Sequence, residues 1–286
     1  MLTVSLAPAV AERLGRFLEQ RHAAVRSDHW RHFGGLNSVR VEGVRAVVSA
    51  GAGFDSEYEL NFRRPTLRET AGRIVRSAVG RSDFDRCRKA YESLWSSPPA
   101  ATPSPHAVIA QHYMRILQPY SAGTYLEIGA GTGYLAALAR EAWNAKIIVI
   151  DLPEILPLGF LYLHARFPEA SFALPGEPAD ADMVFLTEGE VLADDGVDLA
   201  VNTASLGEMR PEIIARYFLL LRRVLRPGGL FFTVNREAKV MDGVPIRFRD
   251  YPWSRDDADV LFTASPLHAI TQPENPMLMR LCRLAK

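Results

Sequence analysis

The stretch Thr124-Tyr125-Leu126-Glu127-Ile128-Gly129-Ala130-Gly131-Thr132-Gly133-Tyr134 decides how the rest of the chain is read. A β-prone run meets an acidic residue, three glycines alternate, and an Ala/Leu-rich helical pattern follows. This is a strand, a tight turn and a helix N-terminus. Glycines allow positive φ and close backbone approach, and the first turn of the following helix offers free N–H groups. A dinucleotide turn has the spacing G-x-G-x-x-G, its third glycine allowing the helix to pack closely on the strand. Position 134, where that glycine would fall, is Tyr134, and Glu127 stands two residues before the first glycine. The nicotinamide pattern is therefore not met.

From residue 124 onward strand-like and helix-like patterns alternate, which predicts a parallel sheet with helices on both faces. A helix is expected near 134–143, then the apolar strand Lys146 to Ile150 ending at Asp151, then a helical stretch interrupted by Pro157 and Gly159 and running to Phe167. Ser171–Leu174 and Met183–Leu186 compete for the third strand, and Asp198–Thr203 reads as the fourth. Pro211–Leu225 is strongly amphipathic, and Arg226-Pro227-Gly228-Gly229 ends it before the strand Leu230–Val234. Val260–Thr263 and Met279–Cys282 read as closing strands. Upstream, residues 1–99 read as a mostly helical cap, with Val10, Leu14, Phe17, Leu18 and Val25 on one helix face and a capping box at Thr66–Glu69. Val39–Ser49 is a strand or simply extended. The proline-rich run Pro98–Pro105 reads as a linker, with Ser104 as N-cap and Pro105 at the first position of a helix. Residues 100–286 then form the main domain.

Asp151 lies 24 residues after Glu127 at the end of the second strand. An acid there can accept from both hydroxyls of a ribose, or it can cap the helix that follows. The run Asn202 to Met209 ends the fourth strand, on the side where open α/β sheets bind ligands.

The first glycine block has the G-x-G-x-G spacing, preceded by an acid, that resembles class I S-adenosylmethionine (SAM)-dependent methyltransferases. A narrower resemblance rests on LEIGAGTGYLA, VIDLPEILPLGFLYL, DLAVNTASLGEM with the following RYF, LRPGGLFFTVNR and DYPW, over roughly residues 100–255. These blocks resemble the sugar O-methyltransferases of bacterial glycan and natural-product pathways. Members often carry Phe where this chain has Leu206, and a Gly-Tyr-Gly turn where it has Gly131-Thr132-Gly133. The resemblance implies a Rossmann-like class I methyltransferase domain, a mostly parallel seven-stranded sheet behind the helical cap. SAM would lie against Glu127, Gly129, Ala130, Gly131, Gly133, Asp151, Leu152 and Asn202, and S-adenosylhomocysteine would be the product. It also implies transfer of the methyl group to a hydroxyl of a small sugar-containing substrate. A sugar hydroxyl needs a base, for which Glu208 and His106 are candidates; Glu208 can equally serve the dipole of the helix starting near Pro211. Ser205, Asn235, Arg236 and Tyr251 are candidate acceptor contacts. His112 falls on an apolar face and reads as core, and His164 and His268 belong to no motif.

Other classes remain in play: methylation of nitrogen or aromatic oxygen in another small molecule, a non-catalytic SAM-binding protein, or an oxidoreductase. Asn202-Thr203-Ala204-Ser205 lacks the N-P-P-Y-like element expected of an amine methyltransferase. Thirty-three basic and thirty-three acidic residues cancel, which gives no electrostatic reason to expect nucleic acid. Cys87 and Cys282 form no metal or disulfide pattern, and the acidic pairs Asp194-Asp195 and Asp256-Asp257 read as solvated loops, so no metal is assigned. No basic leader opens the chain and no apolar run reaches the ~18–20 residues that span a bilayer. A cytoplasmic protein, with the cap as a possible homodimer contact, is the expectation.

Overall fold

A computed structural model describes residues 2–20, 38–49, 83–100, 104–190, 192–241 and 243–286. The capping box at Thr66–Glu69, Val25 and part of the proline-rich linker lie outside these residues.

The N-terminal part contributes β1 (Leu2–Ser5), α1 (Pro8–Gln20), β2 (Ser38–Glu42), β3 (Arg45–Ser49) and α2 (Asp83–Trp95). Its described residues thus combine two helices with a three-stranded antiparallel sheet, ordered β1-β3-β2, rather than helices alone. Val39–Ser49 is a hairpin: Glu42 pairs with Arg45 across the two-residue loop Gly43-Val44, with Gly43 at φ 59°. A positive φ at the first loop residue is what a tight hairpin turn asks of glycine.

The chain continues with α3 (Pro105–Leu117), where Ser104 Oγ accepts from Ala107 N and Pro105 opens the helix, as the sequence predicts. There follow β4 (Thr124–Ile128), α4 (Tyr134–Trp143), β5 (Lys146–Ile150), α5 (Leu156–Arg166), β6 (Phe172–Ala173), β7 (Met183–Leu186) and β8 (Val197–Thr203). Then come α6 (Pro211–Val224), β9 (Leu225–Arg236), β10 (Ala238–Met241), β11 (Val244–Arg247), β12 (Ala258–Ala264), α7 (Pro266–Thr271) and β13 (Met277–Arg283). The large sheet runs β12-β13-β9-β8-β4-β5-β7-β6, antiparallel at β12/β13 and β13/β9 and parallel elsewhere. This is a Rossmann-like, mostly parallel sheet of the expected kind, with eight strands rather than seven because the two-residue β6 is added at an edge. Both candidates for the third strand pair: Met183–Leu186 beside β5, and Phe172–Ala173 beyond it. The β10/β11 hairpin and α7 were not foreseen from sequence.

The central parallel strands are buried on both faces, so they read as continuous apolar runs that alternate between two cores. Tyr125, Ile147, Val149, Leu199, Val201 and Phe232 point into the core shared with α1, α3, α4 and α5. Leu126, Ile128, Ile148, Ile150, Ala200 and Phe231 point into the core closed by α6. Truncating a fully buried phenylalanine such as Phe231 to alanine costs about 3–5 kcal/mol. The edge strand β6 is covered by α1, where Arg13 Nη2 donates to Phe172 O at 2.8 Å and the guanidinium lies over the Phe172 ring.

The parallel register levels the strand ends that matter. Ile128 pairs with Ile150 on one side and Asn202 on the other, so Gly129, Asp151 and Thr203 stand level at the end of the sheet. Strand order reverses across β4, and a ligand crevice opens where it does.

Candidate active site

A cavity of about 380 Å³ lies over these strand ends. Its floor is the glycine turn. Gly129, Gly131 and Gly133 have φ values of 70°, 59° and 79°, all in the left-handed region. A Cβ on Gly129 would stand 2.1 Å from Ser205 Oγ, so the position admits no side chain. Gly159 of α5 approaches the turn from below, and a Cβ there would meet Gly131 O at 2.9 Å. The helix predicted to break at Pro157 and Gly159 is continuous, with Pro157 in its first turn and Gly159 as the contact that lets it pack on the turn.

The turn spends its own amides. Gly129 N donates to Ile150 O at 2.8 Å, Gly133 N to Ala130 O at 2.9 Å, and Gly131 N to Asp151 Oδ2 at 2.8 Å. Asp151 Oδ1 accepts from Leu152 N at 2.7 Å, while α5 begins at Leu156 with Ile155 before it. Asp151 is therefore not the cap of that helix but the brace between β5 and the turn. Glu127 is 2% exposed and accepts from Tyr125 Oη at 3.1 Å and from the backbone N–H of Ala136 in the first turn of α4. Where a phosphate-binding turn would present free amides at a helix N-terminus, this one already holds a carboxylate.

Both acids are poised to gain from a positive neighbour. Burial pushes Glu127 up to about 8, and the charge of Asp151 adds to the rise against the Tyr125 hydrogen bond. Burial also raises Asp151 to about 6, against the two amides that favour its anion. A cationic ligand would supply the compensation that neither has.

The sequence-predicted residues separate into cavity walls and supports. Glu127, Gly129, Ala130, Gly131, Glu208, His106 and Arg236 line the cavity. Gly133, Asp151 and Leu152 are not in its lining: Gly133 supplies turn geometry, and Asp151, half-buried, braces the turn. Asn202, expected at the cofactor, is fully buried: its Nδ2 donates to Ile128 O at 2.9 Å and Oδ1 accepts from Asn235 Nδ2 at 2.8 Å. Ser205 Oγ bonds Asn202 and Ile128 O, and Asn235 Oδ1 accepts from Gly207 N at 2.9 Å. Ser205 and Asn235, expected to touch the acceptor, thus belong to one buried network that locks the loop after β8 to β4 and β9. Tyr251, also expected there, is 5% exposed and packs on Phe248, Phe218 and Trp253, away from the cavity wall. For Asn202, Ser205 and Asn235 the reason is that short polar side chains at strand ends answer backbone groups before they can answer a ligand, whereas Tyr251 is taken up by aromatic packing.

Glu208 follows this network in a single 3-10 turn and accepts from Lys239 Nζ at 2.6 Å. Lys239 comes from the unforeseen β10, and so does the ion pair. His106 is exposed on the first turn of α3. His268, which belonged to no motif, also lines the cavity, from α7. It is buried, its Nδ1 lies 3.0 Å from Ser265 Oγ and 3.2 Å from Tyr113 Oη, and its ring stacks on Tyr113. Burial and the nearby positive charge of Arg236 lower it to about 4, so it is neutral at pH 7. Ser265-Pro266 repeats the Ser104-Pro105 signature and was the available signal for this helix. His112 is core, as predicted, with Nδ1 accepting from Trp95 Nε1 at 3.0 Å.

The acidic pairs answer cations of the chain itself. Asp257 accepts from both Arg222 nitrogens, at 2.8 and 3.1 Å, Asp194 faces Arg223, and Asp195 pairs with Lys286. Asp257 is buried rather than in a solvated loop. No described helix is long and apolar enough to cross a membrane.

No family model matches the chain, and no curated protein matches it. Among solved structures it is similar to a 1,6-didemethyltoxoflavin N1-methyltransferase of Burkholderia thailandensis with S-adenosylhomocysteine bound (15% identity, 87% of this chain and 99% of that chain, TM-score 0.44). It is also similar to a glycopeptide N-methyltransferase complexed with sinefungin (13% identity, 63% and 94%, TM-score 0.40). A geranyl diphosphate methyltransferase in complex with SAM overlaps comparably (13% identity, 63% and 87%, TM-score 0.44).

Proposed function

We propose that this chain binds SAM at the glycine-turn end of the cavity and directs its methyl group to a hydroxyl of a sugar or glycosylated metabolite. The observation that carries the cofactor half is the buried Glu127 under the α4 N-terminus together with the spent amides of Gly129, Gly131 and Gly133. A pyrophosphate would find few donors there and a carboxylate to repel it. An ammonium or sulfonium finds a partner, and the free lone pairs of Asp151 remain for ribose hydroxyls. When bound, SAM supplies a methyl carbon already activated by its positive sulfur.

The residues of the chain then have three tasks. The turn and α5 hold the cofactor end rigid, since Gly159 packs directly on Gly131. The wall formed by His106, Glu208, Arg236, Lys239, His268 and Gln272 is rich in hydrogen-bonding groups, which suits a polyhydroxylated acceptor better than an apolar one. Glu208 would take the hydroxyl proton through lone pairs not used by Lys239, with His106 as the other group placed to do so. Holding the hydroxyl in line with the methyl carbon contributes on top of this. The test is a screen of labelled methyl transfer from SAM to nucleotide sugars and glycosylated metabolites, against amine and phenol acceptors. Label in sugars alone is expected; label only in amines or phenols would replace the sugar reading, and none in any acceptor would favour a binding protein.

A further inference from the structure

We propose that the acceptor carries a phosphate or carboxylate group, and that Arg236, which lines the cavity together with Lys239, holds that oxyanion on the β9 side, across β8 from Glu127. The inference rests on the methyl-transfer reading for the identity of the two ends. Arg236 ends β9 and is exposed to the cavity. With the Asn275 side-chain oxygen turned toward it, Nη1 and Nη2 donate at 2.6 and 3.2 Å. That partner is neutral. Among the described residues no carboxylate lies within ion-pair distance of Arg236, so its charge is oriented but not balanced. Lys239 and Glu208 balance each other, Glu237 on the neighbouring position faces Arg249, and His268 is held neutral in part by Arg236 itself. The acceptor end therefore carries one positive charge in excess, on a planar group suited to two parallel bonds with an oxyanion. Lys239 lines the same cavity while paired with Glu208.

The test uses protein saturated with S-adenosylhomocysteine and calorimetric titration with glucose, glucuronate and glucose 1-phosphate. One or both charged probes are expected to bind at least roughly tenfold more tightly than glucose, in keeping with a hydrogen bond to a charged group, and to weaken as salt is raised. The tighter of the two tells whether the oxyanion is carboxylate or phosphate. Arg236→Gln is expected to erase the preference while leaving the melting temperature and S-adenosylhomocysteine affinity unchanged, and Arg236→Lys to restore part of it. Equal binding of all three probes, binding of none, or a preference that survives Arg236→Gln would overturn the inference. So would a loss of S-adenosylhomocysteine affinity in Arg236→Gln, which would give this arginine to the cofactor. Failure of the parent protein to bind S-adenosylhomocysteine at all would instead sink the methyl-transfer reading.

Discussion

The two ends of the cavity are built on opposite principles. The glycine-turn end is acidic and rigid: Glu127 and Asp151 are held by backbone amides, and Gly129 and Gly159 leave no room for a Cβ. The far end is basic, more open and made of long side chains, Arg236, Lys239 and Gln272, drawn from the β9 terminus, a hairpin and the end of a short helix. The first end can accept one ligand in one pose. The second can be re-tuned by changing a side chain without disturbing the sheet, which is how one fold serves many acceptors.

The contrast sets the order of effects expected from mutation. Gly129→Ala strikes the rigid end hardest, because a Cβ would overlap Ser205 Oγ on a backbone with φ of 70°. Destabilisation of more than ~3 kcal/mol is expected in chemical denaturation, from strain and overpacking together. A variant as stable as the parent would mean the turn is softer than its contacts indicate. At the open end, Glu208→Gln should leave SAM affinity nearly intact and lower turnover by ~10²–10⁴, the range for a lost general base. Unchanged turnover would pass that role to His106. Asp151→Ala should be smaller and of the other kind, weakening SAM ~10–100-fold by calorimetry, since the brace on Gly131 and the ribose partner go together. Undiminished affinity would remove Asp151 from the cofactor site.

The same division explains what was legible in the sequence. The rigid end follows from local rules: alternating glycines, an acid at each strand end and continuous apolar strand runs are visible in Thr124–Tyr134 and Lys146–Asp151. The open end is made by long-range pairing. Lys239 reaches Glu208 across 31 positions, and Tyr113 meets His268 across 155. No spacing rule reports such contacts, so His268 and Lys239 were missed. Conversely, Asn202, Ser205 and Asn235 sit where sequence position suggests ligand contact, yet the structure uses them to satisfy buried backbone groups. Near the N-terminus the hairpin was hidden because Gly43-Val44 is a two-residue turn inside a run that also reads as extended.

The central claim, that the acidic end is built for a cation, is tested most directly by calorimetric titration of SAM across pH 6 to 9 in buffers of different protonation enthalpy. Unliganded Glu127 lies at about 8, so at pH 7 it is mostly protonated, and a cation that favours its anion must displace the proton. The expected result is binding that releases up to roughly one proton near pH 7, tightens as pH rises toward 8, and loses this dependence in Glu127→Gln. Affinity that is flat or falls over that range in the parent protein, or no binding of SAM at all, would contradict the claim.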